Sequence, residues 1–386
     1  MTFPDPYIQN PRLPLKSTPH VSAIKIALAI VAMLIAAILG LLILLVIGIE
    51  TGPIGLILGL LAATLPVPIY VVLVLWIDPY EGDPLWMLTT AFFWGALVAA
   101  FFAFLLNTLF DLTVGTIAQD ASAGEALSAV ISAPFVEEIG KALILFIFFF
   151  AMKEEFDGVV DGIVYASMAA LGFAMTENIL YYGNAASKSG GVLTATVIVR
   201  GFFAPFSHPL FTSLTGIGLG LSRQSTNIAI KILTPIVGLG MAIFMHSLWN
   251  ASAVFGGGGV FVLTYIVVMV PAFVIMLVVI ALALRREGQV VRQFLLTDIE
   301  RGLFTQEEYK QLGSITGRMG SSFSALSKSG VKGWQNRRRF NQLASELAFH
   351  RSRVSRGIRS RKYDPQAQEA AYLEALQALV NELRAR

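Results

Sequence analysis

The sequence predicts an all-α membrane protein: a polytopic bundle of about eight transmembrane helices, followed by a basic, helical cytoplasmic tail. The chain of 386 residues is 55% hydrophobic and only 14% charged, which lies well outside the composition of soluble domains. Apolar runs of about 20 residues, the length that crosses a bilayer, recur before the tail. The sequence has no cysteine, which excludes disulfides, cysteine–zinc sites and a thiol nucleophile.

Hydropathy over a window of about 20 residues gives eight candidate spans. They cover residues 24–49, 54–77, 86–110, 128–152, 159–182, 193–221, 229–255 and 260–284. The first run is too long for the apolar core of a signal peptide and has no small-residue cleavage site, so we expect a retained span. Pro205 and Pro209 interrupt the sixth run, which predicts a kinked helix or two half-helices and leaves a count of nine open.

Charge predicts the orientation of the chain in the membrane. The net charge is −6 over residues 1–284 (9 Lys/Arg against 15 Asp/Glu) and +9 over residues 285–386 (19 against 10). Basic residues before the first span and after the last place both termini in the cytoplasm by the positive-inside rule. We therefore expect a cytoplasmic N-terminal segment (1–23), a transmembrane domain (24–284) and the cytoplasmic tail.

The pattern of the tail predicts short helices and a linker. Thr305 and Glu308 form a capping-box pattern that opens a helix, and Asp364–Pro365 opens the last one. Residues 314–333 are rich in Gly and Ser, which predicts a linker. The abundant Lys and Arg favour contact with anionic lipid, the alternative being a solvated linker that obeys the positive-inside rule. No nucleic acid is expected as a partner, because no aromatic platform or recognisable module accompanies the charge.

Charged residues interrupt the stretch SAPFVEEIGKALILFIFFF (132–150), which places Glu137, Glu138 and Lys141 inside a run that otherwise suits lipid. A charge at the bilayer centre costs a few kcal/mol or more, so such residues face a bundle interior and mark functional sites. On a helix, Lys141 reaches either glutamate, while the two glutamates point about 100° apart. One glutamate can therefore pair with the lysine while the other faces a cavity.

Three further spans carry polar side chains. Glu177 lies on the fifth and His208 on the sixth, while His246 and Asn250 lie one turn apart on the seventh. Counting residues from the span ends places Glu137, Glu177 and His246 in a common band in the outer half of the membrane. A carboxylate, an imidazole and an amide in a wet pocket can activate water and stabilise an oxyanion, as peptide hydrolysis requires.

The same side chains could instead have structural or transport roles. Glu137, Glu138 and Lys141 could form a structural ion pair, Glu177 could be an interfacial residue, and either histidine could hydrogen-bond between helices. Paired acids and histidines also form proton relays, so a proton-coupled membrane transporter is the main alternative function, although no internal repeat is apparent. A catalytically inactive membrane scaffold is the third hypothesis.

Four sequence elements lie in order on separate spans: EEIGK at 137–141 (E-E-x-x-K), FAMTE at 173–177 (F-x-x-x-E), His208, and HSLWN at 246–250. Together they resemble the PrsW-type intramembrane proteases, relatives of the CAAX-prenyl proteases. The stretch DPYEGDP at 78–84 agrees with the resemblance, which covers most of 75–255 and leaves out the tail.

The resemblance implies roles for individual residues. Glu137 would be the general base for the attacking water, and Glu138 with Lys141 would orient it. His246 and Asn250 would bind the water or the oxyanion.

Two positions have less definite counterparts: Glu177 stands where the CAAX relatives have a histidine, and the role of His208 is open. The resemblance further implies an intramembrane endopeptidase that cleaves single-pass membrane proteins, such as an anti-sigma factor, on the outer side of the membrane. Members of the family have been described as metalloproteases and as glutamic proteases, and the sequence permits both. Glu177, His208 and His246 could hold zinc with one position open, or a Glu/His pair could act without metal.

Overall fold

The computed structural model describes residues 23–357 and 364–384, and this part of the chain is helical without strands. Its residues form two compact units. The first, the membrane unit, draws on Val21–Ile77 and Leu85–Val278. The second, the tail unit, draws on Asp78–Pro84 and Val279–Arg386. The predicted N-terminal cytoplasmic segment lies, except for its last residue, outside the described residues.

The membrane unit is a bundle of helices of very different length. Its α-helices are α1 (Ala23–Thr64), α2 (Val67–Leu75), α3 (Leu85–Phe93), α4 (Ala100–Ala118), α5 (Ala121–Leu127), α6 (Ala133–Ala151), α7 (Val159–Lys188), α8 (Gly190–Val197), α9 (Ser207–Gln224), α10 (Ile228–Phe255), α11 (Gly257–Thr264) and the beginning of α12 (Val270–Glu300). Four π-helical segments, in which the helical turn widens, are numbered in chain order: Trp94–Ala99, Ser128–Ser132, Ile198–Phe203 and Tyr265–Met269.

Six helical stretches of the described chain are long and apolar enough to cross a membrane: Ala27–Leu75, Leu85–Ala118, Val159–Lys188, Gly190–Gln224, Ile228–Phe255 and Gly257–Glu300. The first holds two predicted spans, which meet where Gly52 adopts a φ of 74° before Pro53. Helix α6, the predicted fourth span, is not among the six because it carries three charged residues, Glu137, Glu138 and Lys141, although the rest of the helix is apolar. The predicted helical membrane bundle is confirmed, and the count of eight stays a prediction.

Helix α7 is the centre of the membrane unit. It packs against α1, α3 and α9 as well as the first π-helical segment, and most of its residues are buried. Glycines allow these close contacts: a Cβ on Gly162 would lie 2.1 Å from the carbonyl oxygen of Gly216 on α9. Small residues at helix crossings let backbones approach in this way, so α7 can carry Glu177 into the interior.

The sixth predicted span is divided into two helical parts. Helix α8 and the third π-helical segment end at Phe203, and α9 begins at Ser207. Between them stands Pro205, which has no backbone N–H to continue the helix. Pro209 lies in the first turn of α9, where proline is tolerated. This break places His208 at the start of a helix, inside the bundle.

The tail unit contains three further helices, α13 (Gln306–Leu312), α14 (Ile315–Ser355) and α15 (Pro365–Arg384). The predicted capping box is confirmed, because the Glu308 amide donates to Thr305 Oγ1 and the Thr305 amide donates to the Glu308 carboxylate. The predicted start of the last helix is confirmed as well: Asp364 Oδ2 accepts hydrogen bonds from the amides of Gln366 and Ala367.

The linker predicted over residues 314–333 is wrong, because this segment is the first part of α14. Ser314 caps the helix by accepting a hydrogen bond from the Gly317 amide, and a kink follows at Gly330 with a φ of 63°. The buried Arg318 donates to Ser345 Oγ at 2.6 Å in the second part of the same helix. Tertiary packing of this kind overrides the low helix propensity of Gly and Ser.

Candidate active site in the membrane unit

The three charged residues of α6 are buried, with Glu137 6% exposed and Glu138 and Lys141 at 0%. Lys141 Nζ lies 2.6 Å from Glu138 Oε1 and 3.8 Å from Glu137 Oε2. The lysine therefore pairs with Glu138. Within the described part of the chain, Glu137 Oε2 is buried and receives no hydrogen bond. The structure thus distinguishes the two adjacent carboxylates: Glu138 forms the close, hydrogen-bonded ion pair, and Glu137 keeps an oxygen that is free of hydrogen bonds.

Glu138 joins three helices through its carboxylate. Besides Lys141, it accepts hydrogen bonds from Thr212 Oγ1 of α9 at 2.8 Å and from His246 Nδ1 of α10 at 2.9 Å. An ionised carboxylate only accepts, so Nδ1 of His246 carries the proton and Nε2 presents its lone pair. That Nε2 lies 3.8 Å from Glu137 Oε2. Glu138 therefore orients His246 toward the free carboxylate.

His208 links Lys141 to Glu177. Its Nδ1 lies 3.3 Å from Lys141 Nζ and its Nε2 lies 3.0 Å from Glu177 Oε2. Because an ammonium group only donates, Nδ1 is the acceptor and the Nε2–H donates to Glu177. The glutamate of the fifth predicted span and the histidine of the sixth are thus in direct contact.

Arg200, on the third π-helical segment, is a site residue that sequence reasoning did not identify. Its Nη2 donates to Glu177 Oε2, its Nε donates to Asn178 Oδ1 at 2.6 Å, and its guanidinium stacks on the Tyr181 ring at 3.9 Å. The signal was available, since an arginine inside an apolar run requires an acidic partner. Thr212 was also missed, although it follows His208 by one helical turn.

Asn250 supports the backbone beside α6. Its Nδ2 donates to the carbonyl oxygen of Ala129 at 2.8 Å, in the second π-helical segment, where the widened turn frees carbonyl groups. The structure thus places Asn250 at the site, one turn after His246, with its amide nitrogen already engaged.

Two cavities reach these side chains, one of about 360 Å³ and one of about 420 Å³. Glu137 lines the smaller cavity, while His208 and His246 line the larger one. Glu177 and Asn250 line both. The candidate catalytic groups therefore border space that can admit water and a peptide.

The geometry also fits a metal ion. Among the residues that the structure describes, Glu137, His208 and His246 each offer one ligand atom, and these atoms all lie within 4.8 Å of one another. A carboxylate that accepts the remaining ring N–H of a ligating imidazole, as Glu138 would for His246, is a common arrangement at zinc sites. Glu177, a predicted metal ligand, pairs instead with Arg200 and His208. His208 would exchange one of its two present contacts for a metal.

Comparison with known proteins identifies the family. A family model described as PrsW family intramembrane metalloprotease matches residues 83–276. The proteins named Protease PrsW from Geobacillus kaustophilus and Oceanobacillus iheyensis are 34% and 32% identical to the chain over 146 and 171 residues. These alignments cover 38% and 44% of the chain.

The same alignments cover 58% of the Geobacillus protein and 70% of the Oceanobacillus protein. Protease PrsW of Bacillus subtilis is 33% identical over 158 residues, or 41% of the chain and 66% of that protein. No solved structure matches the chain. The matched region contains every candidate catalytic residue and most of the apolar helices, so the chain is a multi-pass membrane protein that belongs to the PrsW family.

Proposed function

We propose that this protein is an intramembrane endopeptidase that cleaves membrane-anchored proteins with water activated at Glu137. The observation that carries the proposal is Glu137 Oε2, a buried oxygen to which no described residue donates, 3.8 Å from His246 Nε2. Membership of the PrsW family supports the reaction class. The two cavities, which share Glu177 and Asn250 in their walls and border Glu137 on one side and His208 and His246 on the other, supply room for the substrate.

In this mechanism Glu137 takes a proton from the attacking water and returns it to the amine that leaves. Lys141, 3.8 Å from Glu137 Oε2, supplies positive charge beside the reacting carboxylate. His246 Nε2, whose lone pair is exposed by the Glu138 contact, fits the position of an acceptor for the second water hydrogen. It suits the water better than the oxyanion, because an unprotonated nitrogen cannot donate.

The oxyanion requires a donor, and we assign this role to Asn250, which lines the same cavity as Glu137. Its Nδ2 would leave the Ala129 carbonyl to donate to the substrate oxygen. Arg200, which is 25% exposed in its side chain and lines the larger cavity, provides further positive potential there.

Glu137, His208 and His246 would hold a zinc ion, with an open position for water. The ion, when bound, supplies a Lewis acid that lowers the pKa of bound water. Glu138 and Glu177 would then hold the two imidazoles in place through their hydrogen bonds. A metal-free reaction relies on Glu137 and His246 to activate the water, with Lys141 and Asn250 in the roles given above.

The substrates we propose are single-pass membrane proteins, such as an anti-sigma factor, cut in the outer half of the bilayer. Support comes from the family resemblance and from the common depth of the site residues counted along the spans. Both termini would lie in the cytoplasm, as the distribution of Lys and Arg predicts. The net positive tail would contact anionic lipid on that side.

The experiment compares the N-termini of membrane proteins in cells that carry the wild type or Glu137→Gln. We expect new N-termini near single spans with the wild type, and their absence with the variant. Glu125→Gln, which changes an exposed glutamate of α5, is the matched control and should behave as wild type. Identical profiles for wild type and Glu137→Gln, with both proteins present in the membrane, would contradict the proposal.

Metal dependence is tested on the purified protein. Loss of cleavage on treatment with a zinc chelator, and its return with added zinc, would assign the zinc-dependent reaction. Cleavage that continues in chelator would assign the metal-free one. The metal content of the purified wild type and of His246→Gln, measured directly, gives a comparison that does not depend on activity.

A further inference from the structure

The larger cavity lies between two helices at the periphery of the membrane unit. Thr196 and Val199 line it from α8 and the third π-helical segment, and Phe261 lines it from α11. Large apolar side chains of these segments are exposed in the structure, including Phe202 of the third π-helical segment at 77% and Val262 of α11 at 54%. In a bilayer, such apolar side chains face lipid. The cavity that contains His208 and His246 is thus flanked by helices at the lipid boundary.

The two flanking helices are joined by a hydrogen bond. Tyr265 Oη, in the fourth π-helical segment after α11, donates to the carbonyl oxygen of Phe203 at 2.9 Å. The rings of the same two residues meet edge to face with centroids 6.4 Å apart. This contact closes the boundary beside the cavity.

The side of the boundary formed by α8 is firmly held. Arg200 binds Glu177 and Asn178 of α7, and Tyr70 Oη of α2 donates to the carbonyl oxygen of Gly201. These contacts tie the third π-helical segment to the interior of the bundle.

The side formed by α11 has a flexible connection instead. Four consecutive glycines, 256–259, occupy the junction after α10 and the first turn of α11, and Gly257 adopts a φ of 59°. A Cβ at Gly257, Gly258 or Gly259 would meet no atom within 4 Å. Glycine permits wide backbone rotation, so this run is suited to act as a hinge for α11, whose Phe261 ring packs on Trp249 of α10 with centroids 4.6 Å apart.

We propose that the transmembrane segment of a substrate enters the larger cavity sideways from the bilayer, between α8 and α11. The glycine run is the hinge and the Tyr265–Phe203 contact is the latch. This inference rests on the proposed proteolytic function. An apolar segment of about 20 residues cannot leave lipid to approach through water without exposing its side chains, so its route to a buried site must cross the lipid boundary.

Thiol labelling tests the latch without any need for proteolysis. The chain has no cysteine, so Ala174→Cys, a buried position that lines the larger cavity, is a single reporter. In proteoliposomes, a maleimide with a long alkyl chain reports access from the bilayer. Losing one hydrogen bond should favour opening, so we expect Tyr265→Phe to raise the labelling rate about three- to tenfold.

The matched control is Tyr309→Phe in the tail unit, which removes a hydroxyl that donates to the Arg292 carbonyl oxygen, also at 2.9 Å. This variant should label at the rate of the Ala174→Cys parent. An equal rate for Tyr265→Phe and its parent would overturn the inference. So would equal acceleration in both tyrosine variants.

Cross-linking tests the entry route directly. Phe203→Cys with Tyr265→Cys, joined by a short bis-maleimide, fixes the boundary closed. We expect cleavage of a single-span substrate to fall at least tenfold, while a short peptide with the same cleavage sequence is cut as before. Equal effects on both substrates would overturn lateral entry. If neither substrate is cut by the uncross-linked protein, the proposed function fails, and the labelling rates still decide on the latch.

Discussion

At the scale of single residues, the site depends on the different surroundings of two adjacent carboxylates, those of Glu137 and Glu138. Glu138 is fully buried and receives three donors, which offset the cost of burying its charge. Glu137 is the preceding residue of α6, and no described side chain donates to its Oε2. Consecutive residues of a helix point about 100° apart, and this rotation is sufficient to separate the structural acid, Glu138, from the reactive one, Glu137.

Thr212 should contribute to this difference. Thr212→Val keeps the shape of the side chain and removes the hydroxyl that donates to Glu138 Oε2. A hydrogen bond to a charged group contributes about 1.5–3 kcal/mol, so we expect a cleavage rate about tenfold lower or more, measured on reconstituted protein. Thr212→Ser restores the donor and should restore most of the rate. Unchanged cleavage by Thr212→Val would show that Glu138 needs only its other two donors.

Arg200 should matter through Glu177. Arg200→Gln leaves that carboxylate with His208 as its remaining donor among the contacts described, and we expect at least a tenfold fall in kcat. Arg200→Lys keeps the charge but not the fork that also reaches Asn178, so partial activity should remain. The control is Arg223→Lys, since Arg223 also stacks on an aromatic ring, that of Phe149 at 4.0 Å. Equal losses in both lysine variants would indicate a general packing effect.

From the charges within an apolar run, the sequence predicted that Lys141 pairs with one glutamate while the other faces a cavity, and the structure has this arrangement with Glu138 paired and Glu137 at the cavity. The catalytic roles of these residues stay predictions. Sequence reasoning did not identify Arg200 as the partner of Glu177, because helix periodicity gives the face of a side chain and not the long reach of an arginine between helices. It also assigned Asn250 only to binding the water or the oxyanion, whereas the Asn250 amide donates a hydrogen bond to the Ala129 carbonyl oxygen in a π-helical segment. Such widened turns leave no clear trace in hydropathy.

At the scale of secondary-structure elements, glycine contacts fix how α7 passes its neighbours. Gly162→Ala would place a Cβ 2.1 Å from the Gly216 carbonyl oxygen of α9, so the two helices must separate. We expect a loss of about 2 kcal/mol or more in the free energy of unfolding, measured by thermal unfolding in detergent. Gly240→Ala on α10 meets no atom within 4 Å and should be neutral or stabilising. Similar destabilisation in both would contradict a packing role for Gly162.

Helices were the most predictable elements, because apolar runs and capping patterns are local signals. The break at Pro205 was expected for the same reason. The first part of α14 was not, since its Gly- and Ser-rich composition favours a linker and its stability depends on contacts such as that between Arg318 and Ser345. Those contacts join residues far apart in the sequence and are absent from any local pattern.

At the scale of the whole molecule, the tail unit takes in a loop from between two predicted spans. In this unit, Arg353 Nη1 lies 2.8 Å from Glu81 Oε1, and Arg318 Nη2 donates to the Pro79 carbonyl oxygen at 3.0 Å. Tyr80 is only 2% exposed beneath the Arg318 guanidinium. The acidic sequence DPYEGDP therefore serves as part of the core of this unit.

The packing of α15 in the tail unit should depend on pH through His350. Its Nε2–H donates to the Pro365 carbonyl oxygen at 3.0 Å, and burial lowers the pKa of the imidazole below its ordinary value of 6.5. Above that pH both the packed and unpacked forms are neutral. As the pH falls below it, the unpacked form binds the proton first, so the packing weakens progressively down to the lowered pKa.

Hydrogen exchange of α15 in the full-length protein, followed between about pH 7.5 and 5 to span the ordinary histidine pKa, measures this effect. After correction for the intrinsic pH dependence of exchange, protection should fall with acidification in the wild type. His350→Gln can keep an N–H donor and cannot titrate, so its protection should change less. Equal pH dependence in the two proteins would assign the effect to other groups.

Whether Glu137 activates water for peptide hydrolysis is tested most directly by oxygen incorporation. A substrate found by comparing N-termini is incubated in ¹⁸O-labelled water with purified, reconstituted wild type, Glu137→Gln or Glu125→Gln. Mass spectrometry then reads the new C-terminus. We expect ¹⁸O in that carboxylate with the wild type and with Glu125→Gln, and no product with a correctly folded Glu137→Gln. Labelled product formed by Glu137→Gln at the wild-type rate would contradict the assignment of Glu137 as the base.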